Sequence, residues 1–134
     1  MYCLDTNIVI DIFRGDEKLK DKINDIRGSE NIFISSITLC ELYKGAFSFF
    51  KPEEKIKDID NFIVNFQIID LDKEVCKEYG KIHSGLKKRG NLFNDFDLII
   101  AAIVKSNDLT LITRDNHFNN IDINMEIWWR KLKI

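Results

Sequence analysis

Short apolar runs of strand type alternate with helical patterns along this chain, and that order of elements leaves few folds open. Met1 to Leu4 reads as a buried strand, after which Asp5 or Thr6 can cap the helix TNIVIDIFRG, ended by Gly15. Asp16 to Ile26 reads as a second helix closed by Gly28, and NIFIS (31–35) as the next strand. Ser36 or Thr38 can cap a helix with Leu39, Leu42, Tyr43, Ala46 and Phe47 on one side, and Pro52 starts another with Ile56, Ile59, Phe62, Ile63 and Phe66. QIIDL is a short strand, and Asp72 opens a long amphipathic helix (Val75, Tyr79, Ile82, Leu86) that runs to Gly90. Asp95 to Ser106 forms an apolar helix suited to lie flat on a sheet, LTLIT (109–113) is the clearest strand, and MEIWW is the last. The pattern predicts one α/β domain over residues 1–134, with a mainly parallel sheet of four or five strands flanked by helices.

Composition narrows the class further. A chain of 134 residues with 45% hydrophobic and 31% charged side chains can bury one core, and it is neither disordered nor collagen-like. No apolar stretch is long enough to span a bilayer, and the N-terminus enters a strand without a basic leader, so a cytoplasmic protein with no membrane partner is expected. Cys3, Cys40 and Cys76 lack metal-site spacing and sit in apolar-patterned segments, which predicts buried free thiols. A net charge of −2 gives no bulk attraction to nucleic acid. Lys87, Lys88 and Arg89 read as a solvated helix face.

Four acidic residues stand at the ends of apolar runs or beside them: Asp5, Glu41, Asp97 and Asp115. An unpartnered carboxylate is costly to desolvate there, and several converging on one spot would require a cation. In a parallel sheet Asp5 and Asp115 emerge at the carboxyl ends of strands, where open α/β sheets place their crevice. Asp97 falls in a first helical turn, where exposed N–H groups favour negative charge, and Glu41 can point back over the same edge. Each has a plainer role available. Asp5 can be a helix cap, Asp97 a first-turn acid with Asp95 as cap, and Asp115 a turn former, whereas Glu41 has no capping task. His83 and His117 are the only histidines, and neither belongs to a recognisable triad; no phosphate-binding glycine loop is present. Two further readings are an acid-pocket receiver or phosphatase-like domain, and a non-catalytic RNA-binding or interaction module on the same fold.

The segments LDTNIVID, SSITLCELYKG, DLIIAAI and LTLITRDNHFNNI followed by MEIWW, in that order and spacing, resemble the PIN-domain family. Within it they are similar to the virulence-associated protein C toxins of type II toxin–antitoxin systems. The resemblance implies a single PIN-like domain and an endoribonuclease that hydrolyses RNA phosphodiesters with Mg²⁺ or Mn²⁺. It carries the acid roles to Asp5, Glu41, Asp97 and Asp115, with Asp97 preferred to Asp95 because two residues separate it from the IAA that follows. Asp95 then becomes a helper or the alternate acid. Thr6, Asn7, Thr113 and Asn116 are expected to orient the carboxylates, and Arg114 and Lys44 are weak candidates for RNA phosphates. A cognate antitoxin covering the site and a homodimer are also implied. Phe47, Phe49 and Phe50 suit either such interfaces or the core.

Overall fold

The computed structural model describes residues 1–91 and 93–128. Five parallel strands form one sheet: β1 (Tyr2–Leu4), β2 (Ile32–Ser35), β3 (Gln67–Ile69), β4 (Thr110–Thr113) and β5 (Asn124–Ile127). Their spatial order is β3-β2-β1-β4-β5, which puts β1 at the centre. The chain builds outward from β1 to β2 and β3, then returns to lay β4 and β5 on the other side. The carboxyl ends of β1 and β4 therefore lie at the point where the strand order reverses, which is where such sheets form a crevice. Register runs Leu4 against Ile34 and Ile112, and the backbone N–H of Asp5 still donates to the Ile112 carbonyl at 2.9 Å.

Side chains alternate along the strands and split the core in two. Cys3 and Leu111 pack with helices α5 (Lys73–Lys88) and α6 (Asp95–Ser106). Leu4, Ile34 and Ile112 pack with α1 (Thr6–Phe13), α2 (Glu17–Arg27), α3 (Ser36–Phe47) and α4 (Glu53–Ile63) on the other face. The apolar helix lies against the sheet as its composition requires, with Ile100 to Val104 fully buried. Gly15 and Gly90 follow α1 and α5 in left-handed backbone (φ 92° and 73°), which suits glycine, whereas Gly28 remains right-handed.

Several local expectations change. The cap of α3 is Ser35, whose hydroxyl accepts from the Thr38 N–H, and the cap of α6 is Asn94 rather than Asp95. Only Cys3 is buried; Cys40 and Cys76 are exposed. Cys40 lies two positions from both Thr38 and Leu42, on the opposite side of the helix from these core residues, and Cys76 falls one position beyond the Val75 stripe. Phe47, the last residue of α3, stays exposed with Phe49 and Phe50, so the core reading of that aromatic group fails. The last strand ends at Ile127; Trp128 is buried beyond it, and the expected Trp129 lies outside the described residues.

The segment after β4 is tied to the α1–α2 turn by Arg114, whose Nη1 lies 2.9 Å from both Asp11 Oδ2 and Asp16 Oδ2. Arg114 and Asp11 are 11% and 8% exposed, so this is a desolvated pair in which losing one partner is expensive. Arg114→Ala is expected to lower unfolding free energy by roughly 3 kcal/mol in urea denaturation. A loss of only a few tenths would show that the guanidinium does not hold this loop.

Candidate active site at the carboxyl end of the sheet

Asp5 occupies the first position after the central strand, where its side chain is 3% exposed. It caps α1, with Oδ1 accepting from the Thr6 N–H at 2.9 Å, and Oδ2 accepts from the Thr113 hydroxyl at 2.7 Å. Capping and site membership are therefore compatible, since each oxygen retains lone-pair capacity. Thr113 serves as a hub. Its one proton goes to Asp5, and its oxygen accepts from Asn7 Nδ2 at 3.4 Å and from the Asp115 N–H at 3.1 Å.

Glu41 is reached through a file of hydroxyls. Thr6 Oγ1 donates to Glu41 Oε1 at 2.8 Å and lies 2.9 Å from Thr38 Oγ1. Because a hydroxyl has one proton, Thr38 must donate to Thr6, and Ser35 donates in turn to Thr38 at 3.3 Å. Ser35, Thr38 and Thr6 are buried, so this file fixes the Glu41 carboxylate from within the protein. The spacing of Thr38 three residues before Glu41 carries this information, but it reads equally well as a helix cap.

Asp97, the third residue of α6, and Asp115, two residues past β4, meet at His117. His117 Nε2 lies 3.1 Å from Asp97 Oδ2, and Nδ1 contacts Asp115 Oδ1, which also accepts the His117 backbone N–H at 3.2 Å. Asp115 thus forms the turn, and this role is compatible with its being a candidate site acid. His117 is the residue that the sequence pattern does not single out as functional: its nearness to Asp115 is visible there, but its bond to Asp97 on α6 is not, and no triad spacing marks it.

Burial raises Asp5 to about 6; its hydrogen bonds from Thr113 and Thr6 pull the other way, and the charge of Asp97 adds to the rise. Burial likewise raises Asp97, opposed by the charge and hydrogen bond of His117 and reinforced by the charge of Asp115. For His117, burial favours the neutral ring, but the hydrogen bond and charge of Asp115, followed by those of Asp97, outweigh it and the pKa rises. Asp5, Asp97, Asp115 and His117 therefore share one electrostatic neighbourhood, and Glu41 joins it through Thr6.

The remaining expected residues divide clearly. Thr6, Asn7 and Thr113 bond to site carboxylates or to their supports, and Asn116 precedes the 3₁₀ turn His117–Asn120 without capping it. Asp95 accepts from the Tyr79 hydroxyl at 2.8 Å, which ties α6 to α5. Arg114 is committed to Asp11 and Asp16, the counter-charge role, whereas Lys44 is exposed. Among the described residues no three His, Cys, Asp or Glu side chains close into a ready metal cage. The four acids converge on one sheet end, but each leans on its own neutral or histidine partner, as unshielded like charges will. The donors offered are carboxylate oxygens, which suit a hard divalent cation such as Mg²⁺ or Mn²⁺ rather than a soft one.

The PIN domain sequence pattern matches residues 2–124. "Ribonuclease VapC1" of Haemophilus influenzae is 30% identical over 131 residues, covering 96% of this chain and 98% of the relative. "tRNA(fMet)-specific endonuclease VapC" of Salmonella typhimurium is 29% identical over 130 residues, covering 95% and 97%. Among solved structures, VapBC2 from Rickettsia felis bound to a DNA fragment from the promoter superimposes with a TM-score of 0.90 at 28% identity, over 95% of this chain and 98% of that one.

The folded state binds the Asp5 proton more tightly than the unfolded chain, whose carboxyl titrates near 3.8. The stabilisation this provides is complete below about pH 4 and is lost as pH rises through about 6. Asp5→Asn, which cannot ionise, should gain stability relative to the parent by up to about 3 kcal/mol between roughly pH 4 and 7.5, in urea denaturation with EDTA. A difference that stays flat across this range would show that Asp5 is not desolvated in the fold.

Proposed function

The chain belongs to the PIN-domain family, and from that premise we propose that it is a divalent-metal-dependent endoribonuclease, the toxin of a toxin–antitoxin pair acting in the cytoplasm. The observation that carries the metal reading is Asp5: a carboxylate buried at the end of the central strand, raised to about 6 by desolvation with the charge of Asp97 adding to the rise, is costly to keep ionised at neutral pH, a cost that a nearby cation would relieve. Asp5, Asp97 and Asp115 are the residues to hold Mg²⁺ or Mn²⁺, with Glu41 as a further ligand or as the base for the attacking water. A bound ion of this kind supplies an acidified water and charge stabilisation at the scissile phosphate.

The protein's own groups account for the rest. Thr113 and the Thr6 N–H hold Asp5 with one lone pair left on each oxygen. The hydroxyl file from Ser35 through Thr38 and Thr6 occupies Glu41 Oε1 and leaves Oε2 to accept a proton from water. Lys44 is the exposed cation nearest in sequence to these acids and is assigned to RNA phosphate, a role for which Arg114 is already engaged. The receiver-like reading loses ground because QIIDL forms the edge strand β3 and Asp72 caps α5. A non-catalytic module is disfavoured by the retention of all four acids.

Similarity to proteins named as ribonucleases and to a VapBC assembly supports both the reaction and an antitoxin partner. A groove of about 310 Å³ is lined by Ile10, Phe13, Leu42, Ala46, Phe49 and Ile59 together with Glu41, and Phe50, next in the chain after Phe49, is 96% exposed. We assign this largely apolar face to the antitoxin, which would shield it and reach Glu41. No helix among the described residues is long and apolar enough to cross a membrane. A homodimer completes the proposal.

Purified protein is expected to cut RNA with Mg²⁺ or Mn²⁺ and to stop in excess EDTA. Asp97→Asn should lower cutting by more than about 100-fold while circular dichroism stays native, since even an outer partner of a metal ligand is worth about 10- to 100-fold. Undiminished cutting in EDTA would refute the metal mechanism. On the partner side, Phe49→Asp with Phe50→Asp should leave cutting by the free toxin intact yet weaken antitoxin binding by roughly 100-fold in titration calorimetry. Unchanged affinity would move the interface elsewhere.

A further inference from the structure

His117 is held in place by aromatic packing as well as by its bonds to the acids. Its ring stacks on Phe118 with centroids 4.5 Å apart and planes at 27°, and Phe93 approaches at 5.2 Å and 49°. Phe118 is fully buried and itself touches Phe93, so these rings form a platform rooted in the core. The 3₁₀ turn His117–Asn120 fixes the backbone beneath it, and the His117 N–H reaches back to Asp115 Oδ1. An imidazole locked in this way dictates where a carboxylate bonded to it must lie.

Each ring nitrogen takes one oxygen from a different acid: Nε2 takes Asp97 Oδ2, and Nδ1 takes Asp115 Oδ1. The two acids come from α6 and from the segment after β4, elements with no backbone link of their own at this end of the sheet. Bridging them leaves Asp97 Oδ1 and Asp115 Oδ2 as the oxygens outside the bridge. A carboxylate with one oxygen anchored has its other oxygen confined to a small arc, which is how outer partners raise the affinity of metal ligands.

We propose that His117 is a positioning residue for the divalent cation: by clamping one oxygen of Asp97 and one of Asp115, it presents the other oxygen of each to a Mg²⁺ or Mn²⁺ ion. This rests on the metal-dependent reading of the site and adds to it a residue outside the acid quartet. His117 touches neither the ion nor the reacting phosphate. Its loss therefore changes how tightly the ion is held rather than the chemistry once the ion is in place.

The experiment is calorimetric titration of Mn²⁺ into the parent protein, His117→Ala, His117→Gln and His83→Ala, followed by RNA cutting across a range of Mn²⁺ concentrations. The clamp predicts Mn²⁺ binding about 10- to 100-fold weaker in His117→Ala. A smaller loss is expected in His117→Gln, which keeps one amide for one acid, and parental affinity in His83→Ala on α5. The cutting rate of His117→Ala should approach the parent at saturating Mn²⁺ while half-saturation moves upward by the same factor. Parental affinity in both His117 variants overturns the clamp, as does tighter binding, which would mean that the ring occupies the ion's place. A low rate at saturating Mn²⁺ with unchanged affinity overturns it in favour of a direct role in the reaction. If His117→Ala does not fold, His117→Gln decides by the same criteria. A parent that binds no Mn²⁺ removes the metal reading and the clamp together, whereas equal binding by parent and variant removes the clamp alone.

Discussion

A carboxylate buried at the end of the central strand is the constraint around which the rest of this molecule is arranged. Asp5 has lost nearly all contact with water, and an isolated buried charge would be prohibitively costly. The fold offsets part of that cost locally, with the first N–H of α1 on one oxygen and the Thr113 hydroxyl on the other. Neither donor carries a charge; the nearby Asp97 adds to the cost and His117 offsets part of it. The sheet topology makes this arrangement unavoidable. With β1 in the middle and β4 beside it, anything placed directly after these two strands is brought to the same edge.

Neutral and histidine partners share the task of keeping the acids apart yet aligned. The hydroxyl file through Ser35, Thr38 and Thr6 reaches Glu41 from the β2 side, and Thr113 reaches Asp5 and the Asp115 backbone from the β4 side. Such chains are buried and directional, because one proton per hydroxyl permits a single sense of donation. His117 closes the far side. The result is a site whose supports come from the strand ends and first helical turns, the most rigid positions available in a parallel sheet. Arg114 contributes from outside it, anchoring the stretch that carries Asp115 to the α1–α2 turn.

Much of the architecture was legible because it rests on local periodicity. The alternation of strand and helix, the limits of α6 at Asp95 and Ser106, and the parallel sheet all follow from patterns a few residues long. The four acids were legible too, as charges misplaced at the ends of apolar runs. What sequence could not supply were choices between neighbours a residue apart and pairings across the fold. Ser35 rather than Ser36 caps α3, because the chain bends there to leave the sheet. Asn94 took the cap expected of Asp95, freeing Asp95 to bind Tyr79 on another helix. Cys40 and Phe47 sit in apolar surroundings yet face outward, since hydropathy averaged along a helix does not locate a single side chain around its axis.

His117 marks the limit of that legibility in a different way. Its partners are 20 residues upstream on α6 and two residues upstream beyond a strand end, and its platform joins Phe118 to Phe93 across the same gap. Standing two residues after Asp115 sets His117 apart from His83 in the sequence, but its bond to Asp97 and its aromatic platform come only from tertiary structure. Bridged through its two nitrogens, the ring sets the spacing of two like-charged side chains. In the proposed metal site such a spacing would serve two like-charged ligands, and the aromatic platform rooted in the core is what would hold the ring that sets it.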